Sequence, residues 1–345
     1  MTVARKQLVD RKTPGFYHCT NRCVRRTFLC GIDEETGIDY SHRKEWLEKR
    51  MFELCDIFSI SIYAYAVMDN HYHIVLYLDP IAPQNWRAED VAEKWLLAYP
   101  GRYSNPKFAK QRALKKQAIM GDKEKLKTYR KRLGSLSWFM GRLNEPLAKQ
   151  SNQEDYCTGR FWEGRYSSQA LLDEAAVFSC MAYVDLNPIR AGIAEKIDES
   201  KYTAINKRVK RLKEVDPIEV QKELDASITA ITHHIKSKQL PISLKDYIEL
   251  VEYAGKSIKY PNKSAMPAHV KSTLSSLNLQ PNHWLKQIES FGDYYCHVVD
   301  PIEQIRKRAA QLKKRCLKGA SAATLLYENP NQPNAPQLIL QCRYV

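Results

Sequence analysis

The sequence predicts an α+β fold in which helices pack on an antiparallel sheet, and three observations carry that reading. Apolar patterns follow one another in the order strand, helix, hairpin, helix, strand, helix through the first 195 residues. Two β-rich runs, 60–67 and 72–78, are joined by the tight turn Met68-Asp69-Asn70, as antiparallel neighbours are. From residue 196 the patterns turn helical, separated by loops that carry Pro241, Pro261, Pro267 and Pro281.

Each element has a local cause. A strand is expected from residue 16 to about 25, followed by the turn-rich GIDEETG and a helix from 42 to about 56. The hairpin comes next, then a polar, mainly helical insertion over about 80–130. A long helix over about 125–151 is indicated by Trp138, Phe139, Leu143 and Leu147 at helical spacing. The segment GRFWEGRYSSQALL, residues 159–172, reads as a further strand. Asp173 then caps a helix whose apolar positions are Val177, Phe178, Met181, Ala182 and Leu186. Pro188 ends it, because proline lacks the N–H and disfavours helical geometry in the residue before it.

Charge points to a nucleic-acid partner. The 345 residues carry a net charge of +15 and a pI near 9.3. Residues 101–150 hold fourteen Lys or Arg, Lys131 and Arg132 among them, against three acids, a local excess of +11. A basic run is often only a solvated helix face. Here it is interleaved with Tyr103, Phe108, Tyr129, Trp138 and Phe139, a combination suited to phosphates and unstacked bases. Further cations at Arg306-Lys307-Arg308 and Lys313-Lys314-Arg315 would add contacts from the tail. The first residues lack an apolar signal core, and no run is long enough to span a membrane, so a soluble, cytoplasmic protein is expected. Nine scattered cysteines without a C-x-x-C read as reduced thiols; Cys19, Cys23, Cys30 and His42 make only a poor zinc pattern.

The residues that carry chemistry lie in two places. Side chains alternate along a strand, so His71 and His73 share one face while Tyr72 points into the other layer. Tyr183 and Asn187, four apart, project together from the last turn of the Asp173 helix. If the two faces meet, two imidazoles, an amide oxygen and a phenol line one pocket. His71, His73 and Asn187 would then hold a divalent cation; imidazoles suit Mn²⁺ better than Mg²⁺, though either is expected to serve. Taken singly, a His-x-His on a strand is ordinarily structural, a tyrosine on an apolar face ordinarily core, and a Leu-Asn-Pro ordinarily a helix stop. Their order, with GRFWEGR between them, favours a site. Arg160, Arg165 and Arg190 flank it as candidate DNA contacts, and Tyr166 is the competing tyrosine. His233-His234 are neighbours that cannot converge on one ion in a helix.

The His71-Tyr72-His73 pair, the 159–172 stretch and MAYVDLNPIRAG, residues 181–192, together resemble the single-tyrosine HUH transposases (the IS200-like transposases), above all the REP-associated tyrosine transposases of bacteria. The resemblance covers about residues 14–80 and 130–195. It implies a ferredoxin-like (RRM-like) sheet in a catalytic domain over 1–195, with the basic helical insertion inside it and a mainly α-helical C-terminal extension over 196–345. It also implies that Tyr183 is the nucleophile and that His71, His73 and Asn187 bind the metal. The expected reaction cuts single-stranded hairpin DNA through a 5′-phosphotyrosine, releases a 3′-OH and rejoins strands. Whether the protein is a monomer or a dimer, and whether the tyrosine serves its own subunit, stays open. The alternatives are a domesticated regulator that binds DNA or RNA hairpins without cutting and, behind it, a metal-dependent hydrolase that uses water.

Overall fold

The structure is a computed structural model and describes residues 9–10, 12–24, 30–33, 36–232, 238–260, 265–289, 291, 298–299, 302–311, 323 and 327. His233, His234 and Lys313 to Arg315 lie outside the described residues.

The elements follow as β1 (Gly15–Arg22), α1 (His42–Ile57), β2 (Ile60–Val67), β3 (His71–Leu78), α2 (Ala88–Ala98), α3 (Ala109–Met120), α4 (Lys123–Leu133), α5 (Leu136–Glu154), β4 (Ser167–Leu171) and α6 (Glu174–Asp185). The short turn α7 (Asn187–Arg190) comes next, then α8 (Ala204–Glu214), α9 (Pro217–Asp225), α10 (Leu244–Lys259), α11 (Ala268–Ser276), α12 (Pro281–Glu289), β5 (Val298–Val299) and α13 (Ile302–Gln311).

Strands run in the order β2-β3-β1-β4-β5. The first four pair antiparallel, as the alternating runs predict, and β5 adds a short parallel edge against Ala170 and Leu171. The other edge, β2, is covered by loop backbone: Val67 N–H donates to the Tyr202 carbonyl and Ile231 N–H to that of Ile62. The unpaired polar groups an edge strand would otherwise present are thereby used up at these positions.

α1 and α5 lie together and are tied by Arg43, whose buried guanidinium donates to Glu154 and Asp155 at the end of α5. Two carboxylates around one cation satisfy its donors, without which a buried charge would be costly. α6 packs against β2 and β3, and α12 covers its outer side. Residues 175–185 of α6 are consequently all buried, so this helix has no solvent face. Trp284 of α12 is fully buried and donates its indole N–H to Ser179 Oγ at 3.1 Å.

Four local expectations need correction. β1 stops at Arg22 instead of running to residue 25, and Cys23 continues only as an isolated bridge to Trp162. The helix expected over 125–151 is two helices broken at Gly134-Ser135. A Cβ at Gly134 would sit 2.9 Å from the Pro80 carbonyl oxygen, so the chain bends where it touches the end of the hairpin. The strand expected across 159–172 is confined to 167–171, and Tyr166 precedes it, buried, within 3.3 Å of Ser137 Oγ. Pro188 does not simply stop α6; it occupies the first turn of α7, where a missing N–H costs nothing.

Candidate functional site

β1 lies at the centre of the four antiparallel strands, and its register positions the site. Thr20 pairs with His73 and Arg22 with His71 on one side; His18 pairs with Gln169 and Thr20 with Ser167 on the other. His18, Thr20 and Arg22 alternate along β1 as His71 and His73 do along β3. Tyr72 points into the opposite layer, as period-two alternation requires, and its hydroxyl donates to Asn144 Oδ1 at 2.7 Å. The two imidazoles of β3 stand edge to face with centroids 5.0 Å apart.

Both rings are oriented by neighbours. His71 Nδ1 meets Asn70 Oδ1 at 2.6 Å, so Nδ1 carries the proton and Nε2 keeps the lone pair. His73 Nδ1 meets His18 Nε2 at 2.9 Å, and His18 Nδ1 meets Gln169 Oε1 at 2.7 Å. Burial pushes the His71 pKa down to about 4, helped by the Arg22 charge. It pushes His18 down to about 4 against the opposing pull of its Gln169 hydrogen bond. His73 is held well below the usual imidazole range by burial first, then by His18, His71, Arg190 and Arg22. Neutral imidazoles at neutral pH are the ligating form.

α6 delivers the tyrosine. Its first turn is fixed by Asp173, whose carboxylate accepts from the Ala176 N–H at 2.6 Å, as the capping pattern predicts. The Tyr183 ring stands edge-on to His73, centroids 5.5 Å apart, and to His18 at 6.1 Å. Phe291 stacks on Tyr183 at 5.0 Å, and the Arg190 guanidinium lies 4.7 Å from the ring centroid. Tyr183 is 7% exposed. Asn187 donates its amide N–H to the carbonyls of Tyr183 at 3.2 Å and Val184 at 3.3 Å, closing the end of α6, while its Oδ1 accepts from Arg190 at 3.3 Å. Arg190 also donates to the Glu289 carbonyl at the end of α12.

In front of the histidines is a cleft of about 370 Å³ lined by Thr20, Asn21, Arg22, His71, His73, Glu163, Gly164, Arg165 and Ser167. Tyr183 and Asn187 do not line it; the Tyr183 ring lies beside His73 under Phe291. A larger cavity of about 1020 Å³ sits at the β2 edge against α8 and contains neither histidine. Its size does not make it the site, because the imidazole pair and the tyrosine are elsewhere.

The predicted residues thus divide. His71, His73 and Tyr183 come together, Arg190 lies over the Tyr183 ring, Asn187 is held by Arg190 and the end of α6, and Arg165 lines the cleft in front of the histidines. Arg160 is exposed in the loop before β4, and Lys131 is exposed on α4. Arg132 lies 4.3 Å from the Trp138 ring centroid and 5.3 Å from that of Trp95, while Trp95 stacks on Tyr129 at 4.1 Å. The rings of the basic insertion are therefore engaged with one another and with arginines, and Phe139 is fully buried. Sequence reasoning missed His18, Arg22, Gln169, Glu163 and Phe291. The alternation of His18, Thr20 and Arg22 along β1 was the available signal for His18 and Arg22.

Among the described residues no group of three or more His, Cys, Asp or Glu side chains could hold a metal ion, and Cys19, Cys23 and Cys30 are buried thiols outside any disulfide. A cation here would therefore rest on two imidazoles, with oxygen donors from an amide or from a bound phosphate. Both imidazoles line the cleft, so the donor chemistry is of the right kind for that role. Among the described residues no helix is long and apolar enough to cross a membrane.

No model of a known protein family matches the sequence, and no curated protein matches it. Among solved structures the chain is similar to a REP-associated tyrosine transposase bound to a REP hairpin, with 14% identity over 63% of this chain and 90% of that one and a TM-score of 0.36. A likeness that distant carries no argument about activity, which rests on the site itself.

Proposed function

We propose that the chain is a single-stranded DNA endonuclease and strand transferase of the tyrosine-transposase kind, acting on hairpin DNA. The carrying observation is that Tyr183 lies against His73 of its own chain, 5.5 Å between ring centroids, with His71 edge-on to His73 on the same strand face. The strand order β2-β3-β1-β4 around α1 and α5 supports the ferredoxin-like reading of the sheet. The net charge of +15 supports a nucleic-acid partner.

His71 and His73 would hold a divalent cation, Mn²⁺ or Mg²⁺, with Asn187 as third donor once its oxygen leaves Arg190. When bound, the ion supplies charge neutralisation at the scissile phosphate. Arg22 and Arg165, in the cleft wall, provide fixed positive charge for the flanking phosphates. The Tyr183 oxygen forms a bond to phosphorus as the bond from phosphorus to the 3′ oxygen breaks. The phenolic proton is lost and the departing 3′ oxygen gains one, leaving a 5′-phosphotyrosine and a 3′-OH. One phosphodiester replaces another, so the same 3′-OH or a different one can reverse the attack.

A second reading has its own observation: Glu163 lines the cleft with both histidines, and Tyr183 does not. Glu163 could act as base for an attacking water. One experiment separates the readings. Labelled single-stranded hairpin DNA is incubated with Mn²⁺ or Mg²⁺ and run on a denaturing gel beside Tyr183→Phe. A metal-dependent slow-migrating adduct absent from the variant is expected. Cleavage that survives Tyr183→Phe would favour the water mechanism, and binding without cleavage a non-cutting regulator.

A further inference from the structure

We infer that Gln169 and His18 are positioning residues that fix which ring nitrogen of His73 carries the proton and which keeps the lone pair. The inference rests on the proposed metal-binding role of His73. His18 sits on the central strand between its two partners and bridges them, Gln169 on β4 and His73 on β3, at 2.7 and 2.9 Å. All three are buried, at 4%, 9% and 7% exposure, so water does not compete freely for their hydrogen bonds. The His18 and His73 rings are nearly parallel, 11° apart with centroids at 5.1 Å.

The chain of contacts has a direction. A contact between two ring nitrogens holds one proton, and the far end decides which nitrogen owns it. The Gln169 Oε1 atom only accepts, so His18 carries its proton on Nδ1. His18 Nε2 is then an acceptor, and His73 must donate from Nδ1. That leaves the lone pair of His73 on Nε2. Were the amide nitrogen of residue 169 turned toward His18, every bond would reverse and His73 would present an N–H where a ligand is needed. His71 reaches the same state by the shorter route of its neighbour Asn70. Outer partners that orient metal-bound histidines in this way typically change metal affinity 10–100-fold when removed.

The test uses the full chain, free of metal, at neutral pH. Long-range proton–nitrogen NMR identifies the protonated nitrogen of His73, and Mn²⁺ titration measures affinity separately. Wild type and Gln169→Glu, which keeps an acceptor, should show His73 protonated on Nδ1. His18→Phe and Gln169→Leu should shift the proton toward Nε2 and weaken Mn²⁺ binding roughly 10–100-fold. Should His18→Phe fail to fold, Gln169→Leu carries the comparison. A wild-type His73 protonated on Nε2, or a folded variant that retains the Nδ1 proton, overturns the relay. An Nδ1 proton in a wild type that binds no Mn²⁺ upholds the relay and overturns the metal reading.

Discussion

Phe291→Ala probes whether the C-terminal extension covers the tyrosine as tightly as the geometry indicates. Phe291 is 1% exposed, stacks on Tyr183 at 25° and 5.0 Å, and lies 6.5 Å edge-on from His18. Truncating a fully buried phenylalanine costs about 3–5 kcal/mol, of which an aromatic pair accounts for about 0.5–1.5. Only one face of Tyr183 is opened, since Arg190 also lies over the ring. The expected loss is therefore toward the lower end, about 3 kcal/mol, read as a shift of the urea midpoint at unchanged slope. The same variant should raise the rate at which a tyrosine-selective reagent labels Tyr183, mapped by peptide mass. A loss below about 1 kcal/mol with unchanged labelling would refute the covering contact.

Two further outcomes follow from packing and charge. Gly134→Ala drives a Cβ to 2.9 Å from the Pro80 carbonyl oxygen, and thermal melting should show a loss of about 1–3 kcal/mol, the usual cost of overpacking. Asp185 is fully buried, and its pKa is pushed up to about 7 by that burial, against hydrogen bonds from Tyr247 O–H and Ile205 N–H. A raised carboxyl favours folding below the ordinary value near 3.8 and loses that contribution as pH rises through 7. Asp185→Asn should therefore gain on wild type between pH 4 and pH 7 by on the order of 4 kcal/mol, level off above, and be measurable by urea unfolding across pH. A difference that is flat with pH would count against the burial of this group.

Much of the N-terminal half was legible because its signals are local. Strand alternation put His71 and His73 on one face, and the Asp173 cap and four-residue spacing put Tyr183 and Asn187 together. His18 carries only the weak local mark of its alternation with Thr20 and Arg22, because its partner Gln169 is 151 residues away and becomes adjacent only through sheet register. The same holds for Phe291, which reaches Tyr183 from the extension. The break at Gly134 was hidden because its cause is contact with Pro80, not helix propensity. The interleaved aromatics of the insertion read as base-stacking rings, yet Tyr129 and Trp138 engage Trp95 and Arg132. A sequence shows that rings and cations alternate; it does not show that they satisfy each other.

The burial of α6 on every side bears on how the molecule is made. Synthesis runs from the N-terminus at about 5–20 residues per second, and roughly a hundred residues separate Tyr183 from the Trp284 and Phe291 that cover it. For roughly 5–20 s the ribosome therefore holds a chain whose four antiparallel strands and tyrosine helix are made while the outer side of that helix is bare. Its apolar residues then lie open to any sticky neighbour, and Asp185 awaits Ile205 and Tyr247. Assembly of the surroundings of Tyr183 is thus a late event, and a pause or early stop between α6 and α12 would leave an aggregation-prone fragment.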